Sequence, residues 1–212
     1  MRKKILFLAG MMACSSLAGA QEISKTWVAD KGNGTYQNPV LHADYSDPDI
    51  CAAGDDFYMT ASSFNCIPGI PILHSNDLVN WSLVNYALPV QEPESFFDKA
   101  QHGKGVWAPA IRFHNGEFYI YWGDPDYGIY MIKTKDPKGK WSKPVLVKAG
   151  KGMIDATPLW DEDGKVYLIH AYAGSRSGVN SILVICELNP EGTEVISDPV
   201  MVFDGNDGKN HT

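Results

Sequence analysis

Two aspartates occupy matching places in the chain. Asp47 precedes one short apolar run, and Asp155 precedes another 108 residues further along. In a pair of facing carboxylates, one can accept a proton from water while the other sets the local charge, as general acid–base hydrolysis requires. An aspartate beside a proline or a turn also has an ordinary structural explanation. The matched positions of the pair, rather than either residue alone, therefore indicate chemistry.

The elements that must position these aspartates recur along the sequence. Three segments contain a glycine, one or two polar residues and a short aromatic run: Gly54–Met59, Gly116–Ile120 and Gly164–Leu168. Behind each comes a second predicted strand that ends in a polar turn, at 72–77, 131–136 and 184–189. A last strand follows, introduced by Trp81 and Trp141 in the first two units and predicted at Val195–Val202 in the third.

A period of about fifty to sixty residues with about four short strands predicts an all-β fold built from the blades of a β-propeller. The innermost strand of each unit is the apolar run before its glycine turn, at 49–52, 108–113 and 156–160. Innermost strands converge on the propeller axis, so Asp47 and Asp155 are predicted to face one hollow. A β-sandwich with similar strand spacing is the alternative. No long segment has the 3.6-residue period of a helical fold.

Other catalytic and metal-binding patterns are missing from the sequence. The six histidines lack metal-ligand spacing, and neither a phosphate-binding glycine loop nor a G-x-S-x-G motif occurs. The acidic run Asp161–Asp163 precedes Gly164, which indicates a solvated hairpin turn more than a calcium loop. We therefore expect no cofactor and no metal ligand, and the pattern leaves open a structural calcium at the propeller axis.

The first twenty residues have the pattern of an export signal. A basic start and an apolar stretch lead to Ala18-Gly19-Ala20, which predicts cleavage after Ala20. A lipoprotein attached through Cys14 is the less favoured alternative, and both predict a secreted or periplasmic protein. Removing 1–20, which contains three bases and no acid, changes the formal net charge from −7 to −10. Such a charge argues against nucleic acid as a partner, and no membrane span is expected beyond the signal.

The motifs around the two aspartates resemble glycoside hydrolase family 43. The resemblance rests on Asn38–Leu41 followed by Tyr45–Asp49, on Trp107-Ala108-Pro109, and on Ile154-Asp155 ahead of Trp160–Leu168. It implies a five-bladed β-propeller that hydrolyses xylosides, arabinofuranosides or related plant glycans with inversion. It further implies that Asp47 is the general base and that Asp155 orients the general acid and raises its pKa. Phe64 and Trp107 would line the sugar pocket.

The sequence departs from the family pattern in its catalytic acid. The family places this glutamate in a Glu-Gly-Pro motif, and no glutamate here is followed by Gly-Pro. We therefore expect the chain to be an N-terminal part, with a lead-in over 21–35 and a partial propeller domain over 36–212 that supplies about three of the five blades. Such a piece is expected to be inactive by itself.

Two other functions are compatible with the same residues. One is a propeller that binds glycans without catalysis, through the same aromatic pocket. The other is a retaining propeller glycosidase of the sucrose- or fructan-cleaving kind, in which an N-terminal aspartate is the nucleophile. In all three cases the partner is an oligosaccharide or polysaccharide, and the sequence does not define an oligomeric state.

Overall fold

A computed structural model describes residues 26–64 and 67–208. Sheet 1 contains β1 (Asp49–Ala53), β2 (Asp56–Thr60), β3 (Gly69–Ser75) and β4 (Ser82–Leu88). Sheet 2 contains β5 (Trp107–His114), β6 (Glu117–Asp124), β7 (Gly128–Thr134) and β8 (Val145–Ala149). Sheet 3 contains β9 (Met153–Trp160), β10 (Val166–Tyr172), β11 (Ile182–Leu188) and β12 (Val200–Asp204). Two four-residue helices, α1 (Glu94–Phe97) and α2 (Gly174–Ser177), lie in loops.

Each sheet is an antiparallel meander whose strands pair in chain order. The predicted first, second and third strands of every unit are present at their expected places. The last strand of the third unit differs from the prediction, because it begins at Val200 rather than Val195. Val195 makes only an isolated bridge to Leu188. Pro199 directly precedes the strand and lacks the N–H that would extend the ladder.

Two apolar layers hold the three sheets side by side. The first lies between sheets 1 and 2 and includes Ile72 and Trp122, and the second lies between sheets 2 and 3 and includes Tyr121 and Leu168. Successive residues of a strand point to opposite faces, so β6 sends Trp122 to one layer and Tyr121 to the other. All four side chains are fully buried, and each contributes about 1.5–3 kcal/mol of burial free energy.

The outer face of sheet 3 is left uncovered. On β12, Val200 is 62% exposed, and Leu159 of β9 is 49% exposed. Three separate four-stranded sheets that stack through their faces form an arc of propeller blades, so the β-sandwich alternative is wrong. Among the residues described, no helix is long and apolar enough to cross a membrane. The predicted signal segment lies outside the described residues.

Candidate active site

One backbone feature recurs where each innermost strand begins. Asp47, Ala108 and Asp155 have φ angles of 51°, 38° and 57°. Each lies two residues before a residue that pairs with the next strand of its sheet: Asp49 with Thr60, Ala110 with Tyr121, and Thr157 with Ile169. In sheets 2 and 3 the strand register shifts at this point. Such bulges redirect a side chain out of the sheet and are frequent beside active sites.

Ser62 fixes the carboxylate of Asp47. The Ser62 hydroxyl donates a hydrogen bond to Asp47 Oδ2 at 2.6 Å, and the backbone N–H of Ala108 donates to Ser62 Oγ at 2.9 Å. The N–H of Ser62 donates to the carbonyl oxygen of Ser46 at 3.0 Å. The position of Asp47 in sheet 1 is therefore tied to the equivalent position in sheet 2, Ala108. Sequence reasoning missed Ser62, because a serine after a strand carries no distinguishing signal.

The negative charge of Asp47 affects the pKa of Asp155. Its side chain is exposed at the hollow, yet desolvation by the surrounding protein atoms raises its pKa, and the negative charge of Asp47 raises it further. Two carboxylates influence one another in this way only when they lie near each other. The two carboxylates are thus near enough to interact, and both the shared axial hollow and their catalytic roles remain predictions.

A close backbone contact sets the position of the strand that holds Asp155. Gly123, near the end of β6, touches the start of β9, and an added Cβ would lie 2.5 Å from the carbonyl oxygen of Met153 and 2.7 Å from Cα of Ile154. Any larger residue at this position would collide with backbone atoms. Sheet 2 therefore contacts the backbone of β9 directly before Asp155.

Phe64 and Trp107, the predicted pocket residues, lie together. Their ring centroids are 6.4 Å apart in an edge-to-face arrangement, and both side chains are half-buried. The carbonyl oxygen of Phe64 accepts the N–H of Gly103 at 2.8 Å. Within the described ranges, the indole N–H of Trp107 is buried without a hydrogen-bond partner. Aromatic faces suit a sugar ring, which presents C–H groups on its own faces.

Neighbouring acidic residues have structural roles. Asp49 accepts hydrogen bonds from the N–H of Ile111 and from the guanidinium of Arg112, which joins sheet 1 to sheet 2. The run Asp161–Asp163 lies in the β9–β10 hairpin, where Asp161 and Asp163 accept backbone N–H bonds, as predicted. No group of three or more potential metal-binding His, Cys, Asp or Glu side chains occurs within 26–64 and 67–208. The expectation of no metal or cofactor remains a prediction.

A cavity of about 590 Å³ lies away from these aspartates. It separates the N-terminal segment from the start of β4, and its lining includes Trp27, His42, Tyr45 and Trp81. Neither Asp47 nor Asp155 contributes to it. The chemistry-bearing residues therefore belong to the axial hollow and not to this cavity.

Radially stacked four-stranded sheets with carboxylates at the start of their innermost strands define an all-β propeller with an axial site. The sequence profile described as Glycosyl hydrolases family 43 matches residues 36–211. The chain belongs to this family, as the motifs around Asp47, Trp107 and Asp155 indicated.

Individual relatives agree with this assignment. A beta-xylosidase of Formosa agariphila is 33% identical, over 95% of this chain and 37% of its own length. The non-reducing end alpha-L-arabinofuranosidase BoGH43B of Bacteroides ovatus is 37% identical, over 64% of this chain and 26% of its own length. The crystal structure of the GH43 BlXynB protein from Bacillus licheniformis superposes with a TM-score of 0.67 at 32% identity, covering 80% of this chain and 34% of that one. The chain thus spans about a third of the length of these curated relatives.

Proposed function

We propose that the complete protein is an inverting glycosidase that acts on xylosides or arabinofuranosides of plant polysaccharide. The observation that carries the proposal is the pair Asp47 and Asp155, which share a left-handed backbone conformation at the start of their innermost strands and whose charges interact. Family membership and the activities for which the beta-xylosidase and arabinofuranosidase relatives are named support the substrate class.

In the proposed mechanism Asp47 is the general base. The hydrogen bond from Ser62 occupies its Oδ2, which leaves Oδ1 to accept a proton from the attacking water. Asp155, whose pKa is raised by the charge of Asp47, orients the general acid. Inversion needs a gap of roughly 6.5–9.5 Å between acid and base, so that a water molecule fits on the far side of the sugar.

We further propose that the general acid is a glutamate outside these 212 residues. The described glutamates are poor candidates for this role; Glu187, for example, accepts a hydrogen bond from Lys165 Nζ at 2.8 Å and lies on a middle strand. The small share of each relative that the chain covers supports the same idea. The downstream reading frame tests it, and a Glu-Gly-Pro motif soon after Thr212 is the expected finding.

The function is tested by Asp47→Asn in the complete protein. Because the amide cannot accept the proton, we expect turnover of aryl β-xyloside and aryl α-L-arabinofuranoside to fall at least about 100-fold, while pentose binding measured by calorimetry persists. Asp161→Asn, in a solvated hairpin turn, is the matched control and should retain activity.

The anomer of the first product, observed by NMR, separates the alternatives. An inverted product supports the proposed function, and a retained configuration would favour the nucleophile mechanism. Pentose binding with no hydrolysis by the unmodified complete protein would favour a glycan-binding propeller. Equal turnover of Asp47→Asn and the unmodified protein would remove Asp47 from the base role.

We also propose export to the periplasm or the medium, with cleavage after Ala20. N-terminal sequencing of the protein recovered from the producing cells should begin at Gln21. A mature chain that begins with a lipid-modified Cys14 would support the lipoprotein alternative instead.

A further inference from the structure

Arg176 reaches the predicted sugar pocket from sheet 3. Its guanidinium carbon lies 5.8 Å from the centre of the Trp107 ring, within the range of a cation–π contact. Trp107 directly precedes Ala108, whose N–H binds the serine that holds Asp47. Arg176 is therefore next to the aromatic wall of the hollow, although it is distant from both aspartates in sequence.

The helix that bears Arg176 is fixed to the strand that bears Asp155. The N–H of Ala173 donates to the carbonyl oxygen of Gly152 at 2.7 Å. A Cβ on Gly152, whose φ is +78°, would lie 2.6 Å from the side chain of Ser177. Helix α2 therefore packs directly on the residue three positions before Asp155, and Arg176 shares the support of the candidate catalytic strand.

Two hydrogen bonds hold the guanidinium and leave most of its donors free. Arg176 Nε donates to Asp126 Oδ1 at 3.1 Å, and Nη1 donates to the hydroxyl of Ser175 at 3.1 Å. An arginine has five N–H bonds, so three of them have no partner in the described part of the chain. The side chain is 28% exposed. A rigid donor group is thus available to a ligand that rests against Trp107.

The surroundings of Arg176 balance its charge. Asp126 also pairs with Lys104, whose Nζ lies 3.7 Å from Oδ2, and Asp126 donates its backbone N–H to the carboxylate of Asp124. When Asp124 is ionised, these two acids and two bases sum to zero. A charge-balanced donor group favours neutral acceptors, such as hydroxyl oxygens, over a carboxylate.

We propose that Arg176 is a substrate-binding and specificity-determining residue that donates hydrogen bonds to hydroxyl groups of a neutral pentose held against Trp107. The proposal rests on the proposed function of the hollow as a glycosidase site. It adds a contact from α2 to a pocket whose other candidate residues come from the inner strands and from the loop after β2.

The experiment compares Arg176→Ala and Arg176→Lys in the complete protein. With aryl pentosides, Arg176→Ala should raise KM by about 10- to 100-fold with a smaller change in kcat, as expected when hydrogen bonds to a charged donor are lost. In an Asp47→Asn background, calorimetric Kd values for xylose or arabinose should rise by a similar factor. Arg112→Ala, which removes another arginine paired with an aspartate, should lower Tm and keep the KM of the unmodified protein.

Arg176→Lys distinguishes a role in ligand binding from a purely structural role. Lysine retains the ion pair with Asp126 but lacks the planar fork, so a binding role predicts an unchanged Tm with pentose affinity reduced about fivefold or more. Unchanged affinity in Arg176→Lys, or KM and Kd within twofold of the unmodified protein in Arg176→Ala, would overturn the proposal. The proposal would also be overturned if the unmodified protein bound glucuronic acid more tightly than xylose and if this preference were lost in Arg176→Ala. Pentose binding that depends on Arg176 without any hydrolysis would contradict the proposed function and leave this inference standing.

Discussion

Asp47 and Asp49 are separated by a single proline and have different surroundings. Asp47 is exposed and accepts a hydrogen bond from a serine hydroxyl, whereas Asp49 is half-buried and bonded to Ile111 and Arg112 of the next sheet. A carboxylate that already joins two sheets is poorly placed to take a proton from water. Contacts, rather than residue type, therefore separate the candidate base from its structural neighbour.

Asp124 provides a residue-scale prediction on pH. Its side chain is fully buried, and burial raises its pKa to about 6. Because the folded state holds this proton more tightly than the unfolded state does, ionising Asp124 costs stability. The cost is absent below about pH 4 and reaches about 3 kcal/mol above pH 6.

Asp124→Asn should remove that cost. The asparagine oxygen can still accept the N–H of Asp126, so we expect a higher Tm than in the unmodified protein at pH 7.5. The difference should shrink as the pH falls toward 4. Calorimetric melting curves across this range test the prediction, and a difference in Tm that does not vary with pH would contradict it.

At the scale of elements, the contact between β6 and β9 controls the candidate site. Gly123→Ala would place a Cβ 2.5 Å from the carbonyl oxygen of Met153, and backbone atoms cannot rotate away as a side chain can. We expect β9 to shift at Asp155, with a loss of about 1–3 kcal/mol in stability and at least a tenfold fall in kcat. Melting curves and initial rates of the complete protein measure the two effects.

Gly139→Ala is the matched control for this substitution. Its Cβ would meet the flexible carboxylate of Asp136 at 3.0 Å, in the turn between β7 and β8. The control should keep its kcat. A Gly123→Ala variant with unmodified kcat would show that the position of Asp155 does not depend on this contact.

The sequence predicted the elements well because each blade repeats a local pattern. Glycine turns and alternating aromatic strands are signals within a few residues, so the hairpins near Gly54, Gly116 and Gly164 were recognisable. The shared hollow followed from repeat symmetry.

Ser62 and Arg176 could not be predicted in the same way. Their importance depends on contacts across sheets, such as the hydrogen bond from Ser62 to Asp47 and the packing of Arg176 on Trp107. No local pattern encodes such contacts. The sequence also predicts a start of β12 that is wrong. The apolar residues Val195 and Ile196 resemble the beginning of a strand, but the strand begins only after Pro199.

At the scale of the whole molecule, each blade needs a neighbour on both faces, and within the described residues sheets 1 and 3 each pack against another sheet on one face only. The exposed apolar residues of β12 lead us to expect that the 212-residue chain expressed alone will self-associate. Light scattering coupled to size-exclusion chromatography measures the self-association. Binding of a dye with affinity for apolar surface measures the exposed apolar area.

Paired lysines should reduce the association. Val200→Lys with Val202→Lys places two charges on β12, at side chains 62% and 52% exposed. Val179→Lys, in the loop after α2 and 44% exposed, is the control and should have little effect. A monomeric chain with little dye binding would contradict the prediction.

The left-handed backbone conformation shared by Asp47, Ala108 and Asp155 has a consequence for how such sites change. An alanine adopts the conformation as the two aspartates do, so the main-chain shape does not depend on which side chain occupies the position. Each innermost strand therefore has, at the axis, a backbone position that accepts different side chains. A single substitution there could add or remove a functional group while the fold stays the same.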